Sequence, residues 1–301
     1  MTLSLIKDTN MSRLLRGTML ALGVATLAAC SDDPVSPDTS PRPVTIRFAA
    51  RVGTQPFSCT QQYTGLGATG TTATATEFMM YVSDVRLRTS TGTEVPVTLT
   101  QDNRWQLENI ALIDFAAGGA GTNCANASPE TNLQVVGTVP GGQTYTGLSY
   151  TLGLPFAKNH GDAATATGPL SVTTMFWSWN AGYKALRLDM RTTGLPNGWF
   201  LHLGSTGCTP TGGATIVPTA CTAPNRQTYT FANFDAATQT IIADVSTLVA
   251  TSNMNANQGG PAGCMSGTTD NDCPVLFTAF GLPFNGGPVP ASQALFRVAS
   301  N

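Results

Sequence analysis

The chain has 301 residues, of which only 11% are charged, with 15 basic side chains against 17 acidic ones and a formal net charge of −2. So sparse and slightly negative a charge excludes an electrostatic nucleic-acid binder or a polybasic membrane-surface protein. Charged residues fall well short of the ~25% of an ordinary domain, and Gly, Thr, Ala, Asn and Ser fill the gap, leaving little helix-forming surface.

At the N-terminus, Lys7, Arg13 and Arg16 precede or flank the apolar run GTMLALGVATLAA, which ends in LAAC at Cys30. A basic region, a short apolar core and small residues before a cysteine make a lipoprotein signal, so residues 1–29 are expected to be removed and Cys30 acylated. Lipid rather than a transmembrane helix is then the expected anchor. Ser31 resembles the sorting residue of outer-membrane lipoproteins, which gives an expected place in the cell envelope, facing the periplasm or the exterior. Residues 30–43 read as a disordered tether, because SDDPVSPDTSPRP is too polar and too rich in proline to bury a core. Without residues 1–29 the balance is 12 basic to 16 acidic groups, a net charge of −4.

From residue 44 to 301 a single domain is expected. VTIRFAAR alternates Val44, Ile46 and Phe48 against Thr45, Arg47 and Ala49, the two-residue period of a half-buried strand. Strand-like runs continue through FMMYVSDVRLR, VPVTL, LQVVGTV, YTGLSYTLG, VTTMFWSW, YKALRLDM, WFLHLG, TYTF, TIIADV and VLFTAF, separated by turn-forming clusters. DVSTLVATSNM reads as one short helix. Many strands without intervening helices predict an all-β fold, an antiparallel sandwich or barrel-like domain with long loops at 116–130, 207–226 and 252–272.

Besides Cys30, the cysteines are Cys59, Cys124, Cys208, Cys221, Cys264 and Cys273. An even number in an exported chain without a CxxC spacing predicts three disulfides. Short intervals favour Cys208–Cys221 and Cys264–Cys273, which leaves Cys59–Cys124.

Several catalytic patterns fail. GLGATG at 65–70 matches GxGxxG in form but opens no helix after a strand, so it offers a pyrophosphate no helix N-terminus. Ser205 lies near His202 but without GxSxG, and Asp84, Asp114, Asp162 and Asp189 are scattered along the chain. The tetrapeptide GLPF at 153–156 and 281–284 is too short to mark a repeat.

Only two histidines occur, His160 and His202, and imidazole is a natural copper ligand where thiols are consumed in disulfides. Trp177 and Trp179 stand two apart, a spacing that places both indoles on one face of a strand. Core packing is the competing reading for the pair, as it is for Met175 at the same spacing.

The blocks PFSCTQQYTGLG, FMMYVSDVRL, WQLENIALIDF, TNLQVVGTVPGG, YTGLSYTLGLPFAKNH, MFWSWNAGYKALRLDM and HLGSTGC together resemble the MbnP family, the metallo-mystery-pair four-cysteine-motif proteins. The resemblance implies an extracytoplasmic copper-binding β protein, with Cu(I) the expected ion. It also implies a partner, a MauG-like di-haem cytochrome c peroxidase that oxidises a tryptophan to kynurenine. Carried onto this sequence, the implied metal residues are His160, His202 and Trp177 or Trp179, with the chain a substrate of its partner and not itself an enzyme. Six cysteines in the folded body, against the four of the family name, mark a departure. The other expectation weighed is a disulfide-pinned module that binds glycans or proteins through surface tryptophans, Trp105 and Trp199 included.

Overall fold

Thr71–Thr89 is the spine of the molecule. Phe78, Met80 and Val82 enter the main core, whereas Met79 and Tyr81 join a second apolar cluster on the opposite face. A strand covered on both sides needs apolar residues at successive positions, and FMMYV supplies them. The computed structural model describes residues 38–178, 180–210 and 216–301. Residues 1–37, with the signal segment, Cys30 and most of the tether, and also Trp179, lie outside the described residues. The first strand, Arg42–Val52, opens two residues before the alternation beginning at Val44.

Around the spine the larger sheet runs Gln227–Phe231, Tyr145–Leu152, Thr71–Thr89, Gly182–Thr192, Trp199–Gly204, Gly263–Cys264. The smaller sheet runs Phe296–Ser300, Gln239–Asp244, Arg42–Val52, Gln134–Val139, Thr98–Leu99. Ile46, Phe48 and Ile241 from the smaller sheet share one core with Phe78, Leu148, Leu188 and Leu201 from the larger. Both sheets have open edges, so the expected all-β architecture is a sandwich and not a closed barrel. Most ladders are antiparallel, but Arg42–Val52 runs parallel to Gln239–Asp244, and Trp199–Gly204 runs parallel to Gly263–Cys264.

The disulfides are Cys59–Cys124, Cys208–Cys221 and Cys264–Cys273, the expected pairing. The short helix expected after TIIADV is Val245–Leu248, with the Asp244 carboxylate accepting from the Ser246 amide. GLGATG forms the turn between Gln62–Leu66 and the spine, with Gly65, Gly67 and Gly70 at positive φ.

Two expectations need correction. VLFTAF is not a strand but part of a helix, Cys273–Phe280. Pro274 sits in its first turn and Gly281 ends it at φ 73°, while Leu276, Phe277 and Phe280 turn into the core. Nor is VTTMFWSW one strand: a 3-10 turn, Thr173–Met175, precedes the strand Phe176–Ser178. Met175 is therefore off the strand and fully buried in the second cluster, so it packs and does not share a strand face with Trp177.

The second cluster explains how the outer face of the larger sheet is covered. Tyr81 and Tyr183 project from it, and their hydroxyls donate to the Pro169 and Leu170 carbonyls at 2.8 and 2.6 Å. These bonds fasten the excursion between residues 154 and 176 over the sheet. That excursion delivers Trp177.

Candidate metal centre

In WFLHLG the two-residue period sends Trp199, Leu201 and Leu203 into the main core, which leaves Phe200, His202 and Gly204 on the outer face. The neighbouring strand Gly182–Thr192 is set antiparallel, with Arg187 opposite His202 and Asp189 opposite Phe200. Leu186, Leu188 and Met190 are core residues, so Arg187 and Asp189 face outward with His202. A register shift between Lys184 and Leu186 places Lys184 opposite Gly204.

Asp189 Oδ1 lies 2.7 Å from His202 Nε2. Arg187 holds the other carboxylate oxygen, with Nε at 2.8 Å and a terminal nitrogen at 2.6 Å. Asp189 is buried, and burial alone would raise its pKa; the His202 hydrogen bond and the His202 and Arg187 charges outweigh that and keep it below the usual carboxylate range. Burial also pushes the His202 imidazole below its ordinary value, against the pull of Asp189, with Lys184 and Arg187 adding to the depression. At neutral pH the ring is then neutral, with its proton on Nε2 donating to Asp189. Nδ1 keeps its lone pair, and this atom is buried and makes no hydrogen bond among the described residues.

Trp177 faces this ring, with centroids 6.1 Å apart. Its indole rests on the backbone of Gly204, where an added Cβ would come within 2.4 Å of the ring. Lys184 Nζ stands 5.2 Å from the Trp177 ring and donates to the Thr174 carbonyl at 2.8 Å, so a buried cation covers the indole. Desolvation lowers the Lys184 pKa to about 8.

His160 follows the short helix Phe156–Asn159 and is held by other neighbours. The side-chain oxygen of Asn159 accepts from the Tyr183 amide at 3.0 Å, which fixes the amide's orientation. Its Nδ2 therefore points its hydrogens at His160 Nε2 and at Ser205 Oγ, both 3.2 Å away. Ser205 directly follows the strand that carries His202, so Asn159 ties His160 to the end of that strand. His160 Nε2 is also 3.5 Å from Cys221 Sγ, and His160, Cys208 and Cys221 have donor atoms within 4.8 Å of one another. The two sulfurs are bonded to each other and are not thiolate ligands.

The structure thus brings His202 and Trp177 together and seats His160 against a disulfide. Trp179 lies outside the described residues. Sequence reasoning counted Asp189 only as a scattered acid and gave Lys184 and Gly204 no role. Counting the ladder back from the turn that joins YKALRLDM to WFLHLG would have set Asp189 diagonal to His202. Trp199 is fully buried, so it cannot be a surface platform. Trp105 is half-buried, with the Arg104 guanidinium 4.8 Å from its ring.

A buried imidazole with an unused lone pair, oriented by a carboxylate, fits a metal ligand in the usual carboxylate–histidine–metal order. For one donor, His202, the residues fit the copper that the sequence resemblance implies.

No curated protein matches the chain by sequence. Among solved structures, MbnP from Methylosinus trichosporium superposes with a TM-score of 0.78 at 30% identity, covering 86% of this chain and 99% of that one. The family model MbnP matches residues 41–266, which include the spine, His160, Trp177, Asp189 and His202. On both grounds, the chain belongs to the MbnP family.

Proposed function

We propose that this protein is an extracytoplasmic, lipid-anchored copper-binding protein in which His202 Nδ1 is a ligand. The observation that carries the reading is that buried Nδ1, without a hydrogen bond among the described residues, on a ring whose other nitrogen is committed to Asp189. Soft, low-coordinate Cu(I) suits neutral imidazoles where sulfur is locked in disulfides. His160 and a kynurenine formed from Trp177 or Trp179 complete the proposed donor set, and a MauG-like di-haem cytochrome c peroxidase is the proposed source of that oxidation. Opening an indole exposes an aryl amine and a ketone, donors that the intact ring lacks. Trp177 supports this role by its place beside His202. Asp189 holds the imidazole tautomer, Gly204 makes room for the indole, and Lys184 fixes the covering turn. The chain is on this reading a substrate and carrier, anchored through Cys30, and no enzyme.

The test has two arms. His202→Ala should abolish Cu(I) binding in competition with a colorimetric chelator; binding equal to the parent's would end the proposal. Mass spectrometry of the tryptic peptide ending at Lys184 should show tryptophan oxidation only after coexpression with the di-haem partner. The glycan-binding alternative is weakened by the burial of Trp199 and the covering of Trp177 by Lys184.

A further inference from the structure

Outside the two main sheets, Thr206–Thr209 and Ala220–Ala223 form a separate two-stranded ribbon, with Cys208 directly opposite Cys221. Cys59, Cys124, Cys264 and Cys273 are all buried, but Cys221 is partly exposed. A dissolved dithiol therefore reaches the ribbon disulfide before the other two. The ribbon also has fastenings that do not depend on sulfur. Thr219 donates its amide to the Thr209 carbonyl at 2.7 Å, Ser205 Oγ donates to the Pro224 carbonyl at 3.0 Å, and Asn225 Nδ2 donates to the Gly204 carbonyl at 2.7 Å.

Beside this bond sits an imidazole whose tautomer is set from outside. Since Asn159 presents its amide hydrogens to His160 Nε2, that nitrogen is the acceptor of the ring, its lone pair engaged by the Asn159 amide, and it lies 3.5 Å from Cys221 Sγ. Ligands around a three-coordinate d10 ion with bonds of ~2.0–2.3 Å stand roughly 3.5–4 Å apart. The three donor atoms here lie within 4.8 Å of one another, so a metal needs the sulfurs to separate and the Asn159 amide to give up Nε2.

We propose that His160, Cys208 and Cys221 form a second, thiol-gated metal site, closed while the disulfide is intact and opened by its reduction, for a soft d10 cation of the Cu(I) type. A dithiol of the thiol–disulfide oxidoreductase class gives up two electrons and two protons and becomes a disulfide. The Cys208–Cys221 bond breaks and each sulfur takes one proton. Metal binding then displaces both protons to solvent, leaving two thiolates and one neutral imidazole as ligands. This inference goes beyond the function proposed above: it depends neither on Trp177 nor on His202, and it shares with that donor set only His160, which reduction of the disulfide draws to the two thiolates.

The experiment uses the folded chain, treated with dithiothreitol, freed of it under anaerobic conditions and titrated with a thiol reagent without denaturant. The two thiols of Cys208 and Cys221 should react. Cd2+ added to this form should give a thiolate-to-metal charge-transfer band saturating at about one equivalent, as a three-donor site requires, and none in the oxidised chain. A C208S/C221S double variant should lose the band while retaining the Cu(I) binding of the oxidised parent. His160→Ala should keep the thiols but weaken Cd2+ by roughly tenfold or more, a loss of ~1.4 kcal/mol or more. Absence of the band in the reduced parent, its survival in C208S/C221S, or unchanged affinity in His160→Ala would each overturn the site. Since His202→Ala tests the oxidised form and should leave the Cd2+ band intact, the two proposals fail separately.

Discussion

At the scale of single residues, the candidate centre rests on a division of labour within one imidazole. A histidine on the outer face of a sheet would ordinarily satisfy both nitrogens with water or neighbours. Here the Asp189 carboxylate, itself tied to Arg187, commits Nε2 and thereby leaves Nδ1 as the basic atom. Asp189→Asn removes the charge that raises the basicity of the ring and relaxes the preference for this tautomer. Cu(I) affinity should fall by about 10–100-fold, the usual effect of removing such a partner, whereas His202→Ala should abolish binding. A competition titration on both variants checks the ranking. Equal affinity in Asp189→Asn and the parent would mean that the carboxylate serves only to neutralise Arg187.

At the scale of elements, strand faces were legible where one period ran unbroken. In WFLHLG the alternation makes His202 an outward residue once Trp199, Leu201 and Leu203 are inside, as they are. FWSWN was harder to read, because the pair spacing of two tryptophans has meaning only on a strand, and Thr173–Met175 winds as a 3-10 turn just before it. VLFTAF misled because a short apolar run suits a buried strand and a buried helix alike; Pro274 and Gly281 at its borders were the better guides. Asp189 could be found only by counting the ladder through the connecting turn, and Lys184 not even so, since the shift near Ala185 is a property of two strands and not of one. The cysteine pairing was legible because an even count and the short chain separations constrained it. It also yields a ranking. Cys59–Cys124 closes 65 residues and Cys208–Cys221 only 13, so chain entropy assigns them about 4 and 3 kcal/mol. Urea unfolding should find C59S/C124S less stable than C208S/C221S, the more so because the former pair also packs with Ala116. The reverse order would show that the ribbon contributes more to the fold than its separateness suggests.

At the scale of the whole molecule, the outer face of the larger sheet carries a transverse row of ionisable groups, and these shape the pH dependence of stability. Glu77 lies opposite Asp189 in the ladder, and Asp114 lies opposite Met79 on the next strand. Burial raises Glu77 to about 7, with Arg187 opposing and Asp189 reinforcing the shift. Burial likewise raises Asp114 to about 7, opposed by the Ala116 amide and reinforced by Glu77. For an acid with a raised native pKa, the folded state holds a proton that the unfolded chain has released. Stability contributed by these two groups therefore falls as pH rises from their unfolded values near 4 to about 7, and is flat beyond. Lys184 acts on the other side: depressed to about 8 by burial, it binds fewer protons in the fold than in the unfolded chain, so stability recovers from about pH 8 toward 10.5. His202, also depressed, opposes the acids below its unfolded value of 6.5 but is one group against two. The sum is a shallow minimum near neutral pH, of order 3 kcal/mol below the value at pH 5, or roughly 6–12 °C in Tm for a domain of this size. Glu77→Gln removes one titrating acid, relieves Asp114, and should melt higher than the parent at pH 7.5 but not at pH 4.5. A pH series of thermal melts on both proteins checks it, and a parent curve rising steadily from pH 5 to 7.5, parallel to that of Glu77→Gln, would show that neither carboxyl is protonated in the folded state.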